Sequence, residues 1–245
     1  MLLAHKRVSS LLGEVCEAGE VAQEVERLRQ VWRPERVRVV LLAESHVWTS
    51  LAELACRVRS VGGLPESRYA RFVYCLGYGE PSLLGSIPSG KNGGTPQYWQ
   101  LFDDCVKGPS LPSKVLKTNE PNHAKRIQAK IELLQQMKMA GIWLIDASVT
   151  AIYRPGIGPI AGKSYQRVLE ISWDEHVGPL LATCRPEKVV VIGRAVGKAI
   201  GSRLRELFPR ANTMAVISQP NARRSSSKLL AWRQSCFDHC KSKVP

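Results

Sequence analysis

The segment Arg36-Val-Arg-Val-Val-Leu-Leu-Ala-Glu-Ser-His-Val-Trp48 sets a run of β-branched and aliphatic residues directly before small and polar ones. A continuous apolar run of this length suits a parallel strand covered on both faces, and open α/β sheets bind ligands just beyond the carboxyl ends of their strands. Glu44, Ser45 and His46 therefore stand where a site is expected. The competing use of the same residues is local, with Ser45 capping the next helix and Glu44 a solvated loop acid.

Composition narrows the class. Of 245 residues, 44% are apolar, enough for the core of one compact domain. A formal net charge of +14 favours a polyanionic partner, either nucleic acid or an anionic membrane surface. No apolar run approaches the roughly 20 residues of a membrane span, and the first thirteen residues lack the apolar core of a signal peptide. The expectation is a soluble, cytoplasmic monomer whose polyanionic partner is a nucleic acid and not a membrane. Seven cysteines between Cys16 and Cys240 are an odd, scattered set, so reduced thiols are expected. Cys236-Phe-Asp-His239-Cys240 lacks a second ligand pair at zinc-finger spacing, and neither a metal nor a cofactor is expected.

Outward from the opening strand, Val21, Val25, Leu28 and Trp32 recur at helical spacing. Residues 1–33 read as a helical extension. Trp48 to Val61 reads as a helix ended by Gly62-Gly63, and Arg71 to Leu76 as a short strand carrying Phe72 and Tyr74. Residues 77–118 form a long irregular insertion, with one helical turn around Tyr98 to Asp104. Regular alternation then resumes. A helix introduced by Pro121-Asn122 and closed by Gly141 leads into the strand Ile142-Trp-Leu-Ile-Asp146. Helix over Asp174–Cys184, strand over Lys188–Gly193, helix over Ala195–Leu207, strand over Thr213–Ile217 and helix over Ser225–Cys240 complete the chain. Such βα alternation predicts a single three-layer α/β/α domain around a mainly parallel sheet. Parallel strands would open the loops after Ala43, Ile145 and Ile217 on one rim, bringing together Glu44, Asp146 and Ser218-Gln-Pro-Asn-Ala-Arg-Arg224.

Two glycine-rich stretches imitate nucleotide sites. Gly193, Gly197 and Gly201 follow a strand, but their spacing is GxxxGxxxG and not GxGxxG, which suits packing of a helix on the sheet. A nicotinamide-dependent enzyme is accordingly a remote alternative. Gly158-Pro-Ile-Ala-Gly-Lys-Ser164 is one residue short of a Walker A loop, yet Lys163, Ser164 and nearby amides suit a backbone phosphate of DNA. From Arg194 onward Arg194, Lys198, Arg203, Arg205, Arg210, Arg223, Arg224, Arg233 and three lysines face only Glu206 and Asp238. Arg223-Arg224-Ser-Ser-Ser-Lys228 would lie beside the rim as a phosphate clamp.

A strand ending Leu-Leu-Ala-Glu-Ser-His, a second reading Trp-Leu-Ile-Asp-Ala-Ser-Val-Thr, then Val-Val-Val-Ile-Gly and Val-Ile-Ser-Gln-Pro-Asn, in this order, resemble the uracil-DNA glycosylase superfamily over roughly residues 36–232. In that superfamily the first strand ends in a water-positioning motif such as GQDPYH or GINPG, the second carries the base-reading residue, usually Asn, and the last loop carries HPSP. The matching positions differ here. Ala43 replaces Gly, Glu44 and Ser45 hold the Gln and Asp places, Val47 the Tyr place, Asp146 the Asn place and Gln219 the His place. The CxxC of the iron-sulfur branches is absent.

The differences form a chemical pattern. A carboxylate at Asp146 accepts from an exocyclic amine, as acidic side chains do with cytosine N4, and a protonated Asp146 would also donate to N3. Val47 leaves a thinner wall at the base C5 position than Tyr would. A C5-modified cytosine then fits, and the pattern is similar to a bacterial anti-phage branch acting on glucosylated hydroxymethylcytosine in viral DNA. The resemblance implies that Glu44, Ser45 and Asp146 carry catalysis. It assigns His46, Val47, Phe72, Tyr74, Gln219 and Asn221 to the flipped base, and Arg223 to the place of the duplex wedge. The alternative is a module that reads modified or single-stranded DNA without cutting it.

Overall fold

In a computed structural model, residues 1–86, 92–109, 112–210, 213–220 and 225–241 are described. Along the chain run α1 (Leu2–Leu12), α2 (Gly19–Val31), β1 (Val39–Ala43), α3 (Leu51–Leu54), β2 (Arg57–Val58) and β3 (Ser67–Arg68). There follow α4 (Pro96–Lys107), α5 (His123–Met139), β4 (Ile142–Asp146), β5 (Tyr153–Arg154), β6 (Gly158–Pro159) and α6 (Gly162–Ser172). A π-helical turn (Trp173–Val177) leads to α7 (Gly178–Cys184), β7 (Lys188–Ile192), α8 (Arg194–Leu207), β8 (Met214–Ile217) and α9 (Ser226–Cys240).

The central sheet has four strands, all parallel, in the order β4-β1-β7-β8. Every residue of β1 and β4 is buried, as unbroken apolar runs require of strands covered on both faces. The architecture is the mixed, three-layer α/β/α domain expected from the alternation. Ala43 pairs with Asp146 at the carboxyl ends of β1 and β4, and the ladder continues through Ala147 N to Ala43 O and Ser148 N to Glu44 O. The two acids thus leave adjacent strands on one rim. Gly193 closes β7 by donating to Ile217 O of β8, so Gln219 reaches the same edge.

Helix α5 starts where Asn122 caps Lys125 N and ends at Gly141, whose φ of +72° turns the chain into β4. Gly197 presses α8 against β8, since a Cβ there would stand 3.0 Å from Val216, whereas Gly201 meets nothing closer than Arg205 at 3.6 Å. The first is a sheet-packing glycine and the second is not.

Three expectations are corrected. The helix over Trp48–Val61 is only α3, four residues held by a Ser50–Glu53 capping box, after which the chain becomes β2. The physical reason is visible in the residues: Leu54, Cys56 and Val58 are buried on alternate positions, a period of two. Arg71–Leu76 is not a strand but a buried series of turns, with Phe72 N bonded to Ala70 O and Cys75 N to Phe72 O. The insertion is less irregular than its composition suggests, because α4 spans twelve residues and inserts Trp99, Leu101 and Phe102 into the core. The helical extension over residues 1–33 consists of α1 and α2, and α6 had no counterpart in the reading; α1 and α6 pack on each other beside a small cluster of Ala4, Val8, Val149, Ile152 and Val168.

Among the described residues no helix is long and apolar enough to cross a membrane, no group of side chains is arranged to hold a metal, and all seven cysteines are free. Cys236 and Cys240 face the core against Cys105 of α4. The C-terminal basic surface is smaller than the charge count implies. Arg233 makes a two-pronged bond to the buried Asp104, docking α9 on α4, and Arg203 pairs with Asp174 and Glu170. Arg194, Lys198, Arg205 and Arg210 remain exposed.

The turn at Gly141 yields a stability test. A Cβ there would meet Arg36 O at 2.8 Å in a conformation that side chains rarely adopt. Gly141→Ala should cost about 1–3 kcal/mol in urea unfolding, whereas Gly63→Ala, also at positive φ but in open space, should cost no more than about 1–2 kcal/mol.

Candidate active site

The site lies at the carboxyl end of β1 and β4, as the topology requires. Ala43, Ser45, His46 and Val47 from the β1 loop, Leu144 and Asp146 from β4, Phe72 from the buried turns and Tyr98 from α4 surround a cavity of about 90 Å³. Its walls are largely apolar. Phe72 stands edge-on to the His46 ring at 6.4 Å, and the Arg29 guanidinium covers its face at 5.2 Å.

Asp146 is the polar centre. Its Oδ2 accepts from Arg29 Nη2 at 2.9 Å and lies 3.3 Å from His46 Nδ1. Its Oδ1 receives no hydrogen bond from the described residues, although the side chain is only 2% exposed. One oxygen is thus locked and the other is available to a ligand. Thr95 Oγ1, also in the cavity wall, is buried without a partner among the described residues.

Behind Asp146 runs a chain of buried charges of alternating sign. His46 Nε2 makes a short contact with Glu17 Oε1, which also accepts from Ala151 N at 2.9 Å and Thr150 Oγ1 at 3.3 Å. On the other side Arg29 bonds Glu26, and Glu26 faces His176. Burial opposes charge on His46, but the Glu17 carboxylate and the hydrogen bonds to Asp146 and Glu17 outweigh it and push the imidazole up to about 9. Burial likewise opposes charge on Glu26, where the His176 hydrogen bond and Arg29 prevail and hold the carboxyl well below its usual range. Burying such ions is tolerable only because each has an opposite partner.

Glu44 is half-buried on the rim outside the cavity wall. Its Oε1 accepts from Tyr165 of α6 at 2.8 Å, and Oε2 takes no bond from the described residues. Burial and the neighbouring Glu44 both raise the Tyr165 phenol, so Tyr165 stays a donor. Tyr98 is raised by burial and then by Asp146 and Glu44, which places its hydroxyl in the field of both acids. That hydroxyl reaches Gln219 Oε1 at 3.5 Å.

The remaining residues singled out in the sequence divide as follows. Val47, Phe72 and Ser45 line the cavity, although the Ser45 hydroxyl accepts from Ile152 N at 3.1 Å and so serves the backbone. His46 is wholly committed to Glu17 and Asp146 and has no ring nitrogen left for a base. Tyr74 does not line the cavity; it is stacked on Phe102, and its hydroxyl oxygen accepts from Leu144 N on the edge strand β4. Gln219 sits over the end of β7, in space left by Gly193, where a Cβ would meet its Nε2 at 2.8 Å. Lys163 and Ser164 are exposed in the first turn of α6, two and one residues before Tyr165, and Lys228 is exposed in the first turn of α9. Asn221, Arg223 and Arg224 lie outside the described residues.

Glu17, Arg29, Tyr98 and Tyr165 are contributors the sequence reading did not name. Arg29 alone left a trace, since it occupies an inward position of the α2 stripe, four residues after Val25 and three before Trp32. Comparison with protein-family models, curated proteins and solved structures finds no match for this chain.

The His46 geometry sets a pH dependence. A group raised in the folded state stabilises it fully below its unfolded value of 6.5, and that contribution is lost as pH rises through about 9. Urea unfolding across this window should show the loss in the wild type, and His46→Asn should lack that part of the slope. An unchanged slope in the variant would contradict the charged imidazole.

Proposed function

We propose that the protein is a DNA glycosylase that hydrolyses the N-glycosidic bond of a flipped C5-modified cytosine, such as glucosylated hydroxymethylcytosine in phage DNA, and leaves an abasic site. The observation that carries this reading is the divided carboxylate of Asp146. Arg29 and His46 hold one oxygen, and the other stands free on an apolar cavity at the rim of a parallel sheet. A free carboxylate oxygen accepts from an exocyclic amine and has no partner to offer a carbonyl in its place, which favours cytosine over uracil.

The cavity supplies what a flipped base requires in exchange for lost stacking: the Phe72 and Tyr98 rings, and an excluded-water acceptor. Val47 is the small wall past which a C5 substituent extends. Glu44, with Tyr165 fixing one oxygen, has its other oxygen for a water that attacks the sugar anomeric carbon. Its negative charge stabilises the sugar cation as the C–N bond breaks. Water adds to the sugar carbon, one of its protons passes to Glu44, and the base departs with the bonding pair. Exposed Arg194, Lys163 and Lys228 on the rim helices suit the phosphates of the bound strand.

A non-catalytic reader of modified DNA is the second reading, favoured by one observation: the Ser45 hydroxyl is occupied by Ile152 N and activates nothing. The two differ in whether base leaves DNA. Mass spectrometry of free base released from glucosylated hydroxymethylcytosine DNA, with alkali cleavage at the resulting sites, should detect both products with wild type. Asp146→Asn and Glu44→Gln should each lower the rate by about 10²–10³-fold without loss of fold. Binding without base release would favour the reader, and full activity in both variants would remove the assignment.

A further inference from the structure

Two polar atoms on the cavity wall take no hydrogen bond from the described residues, and they come from different elements. One is Asp146 Oδ1 at the end of β4, whose fellow oxygen is held by Arg29 and His46. The other is Thr95 Oγ1, which is buried. Thr95 is the N-cap of α4, where a threonine hydroxyl ordinarily accepts from the amide two or three residues on. Here Tyr98 N and Trp99 N donate instead to the Thr95 carbonyl, at 2.9 Å and 3.2 Å, and Pro96 has no N–H to offer. A buried hydroxyl that neither caps its helix nor bonds a neighbour costs stability, so folding does not account for its place in the wall.

Three other polar groups of the wall are spent on the protein. Ser45 Oγ takes Ile152 N, His46 lies between Glu17 and Asp146, and the Arg71 guanidinium holds Glu53 at 3.0 Å and 2.5 Å. The unspent pair is complementary in kind. A carboxylate oxygen only accepts, whereas a hydroxyl also donates. Facing one largely apolar cavity of about 90 Å³, the two match a flat ligand that shows an amino group beside an unprotonated ring nitrogen. The amine donates to Asp146, and the ring nitrogen accepts from Thr95. Cytosine carries that edge at N4 and N3. Asp146 alone cannot satisfy N3, because its carboxylate has no proton to give.

We infer that Thr95 is the specificity-determining partner of Asp146, its hydroxyl donating to N3 of a cytosine ring while Asp146 Oδ1 accepts from N4. The inference deepens the glycosylase reading, on which it rests for the choice of a base, and its test needs no bond cleavage. Ligand-observed NMR titrations use free cytosine and 3-deazacytosine, in which a C–H replaces N3, with wild type and with Thr95→Val, which keeps the side chain's shape and removes its hydroxyl. Wild type should bind cytosine about tenfold more tightly than 3-deazacytosine, the loss expected of one hydrogen bond in a buried site. Thr95→Val should bind both bases equally, about as weakly as wild type binds 3-deazacytosine, and keep the wild-type unfolding midpoint, since the hydroxyl caps nothing. Thr95→Ser should restore the preference. A preference for cytosine that survives in Thr95→Val overturns the inference, as does a wild type that binds the two bases alike or binds neither; base release from glucosylated hydroxymethylcytosine DNA by the same protein would keep the glycosylase reading in each of those cases. The expected dependence on N3 in a protein that releases no base would instead uphold Thr95 as the reader of N3 and remove the glycosylase.

Discussion

The structure turns on the contact between Asp146 and the cations that hold it. A carboxylate at the end of a buried strand, 2% exposed, is tolerable only if opposite charge is brought to it. Arg29 comes from α2, and His46 from the loop after β1, itself held by Glu17 from the segment between α1 and α2. The N-terminal region therefore completes the site instead of decorating it. Four stretches distant in sequence are pinned to one point, and Asp146 presents a single oxygen to the cavity as a result. An Asn at this place would bring no charge for cations to compensate, so the carboxylate of Asp146 and its partners Arg29 and His46 belong together.

The sheet positions what the ions then tune. Parallel pairing of β1 with β4, in the register Ala43 to Asp146, puts Glu44 and Asp146 on neighbouring strand ends without any contribution from loop length. Pairing of β7 with β8 adds Gln219 to the rim, and Gly193 leaves it room. Tyr165 of α6 then bonds Glu44 and Tyr98 of α4 bonds Gln219, tying the rim to the covering helices. Helices α8 and α9 follow β7 and β8 at this rim and carry exposed Arg194 and Lys228 in their first turns, adding positive charge to the positive ends of their backbone dipoles.

Much of this was legible in the residues. Unbroken apolar runs identify β1, β4 and β7, because strands buried on both faces need no alternation, whereas β8, a partly exposed edge strand, follows from the βα order. The βα order gives their direction and hence the rim shared by Glu44 and Asp146. What escaped is what depends on partners far away. Nothing near Glu17 or Tyr165 in sequence marks them as neighbours of His46 and Glu44. The turns over Arg71–Leu76 carry strand-like residues, but their backbone serves to bury Phe72 and Tyr74 at different depths, one in the cavity wall and one under the edge strand. The period of two over Leu54–Val58 was present in the sequence but hidden by the good helix formers before it. The charge count overstated the basic face, since Arg233 and Arg203 are spent on acids that sequence distance conceals.

If the buried ions act as one unit, removing charge at its two ends must be non-additive. Glu17 and Asp146 do not bond each other; each bonds His46. A double-mutant cycle with Glu17→Gln and Asp146→Asn, read as unfolding free energy, should give a coupling of about 0.5–3 kcal/mol. Additivity within about 0.3 kcal/mol would show that His46 does not connect the two acids, and would contradict the account of how Asp146 is held.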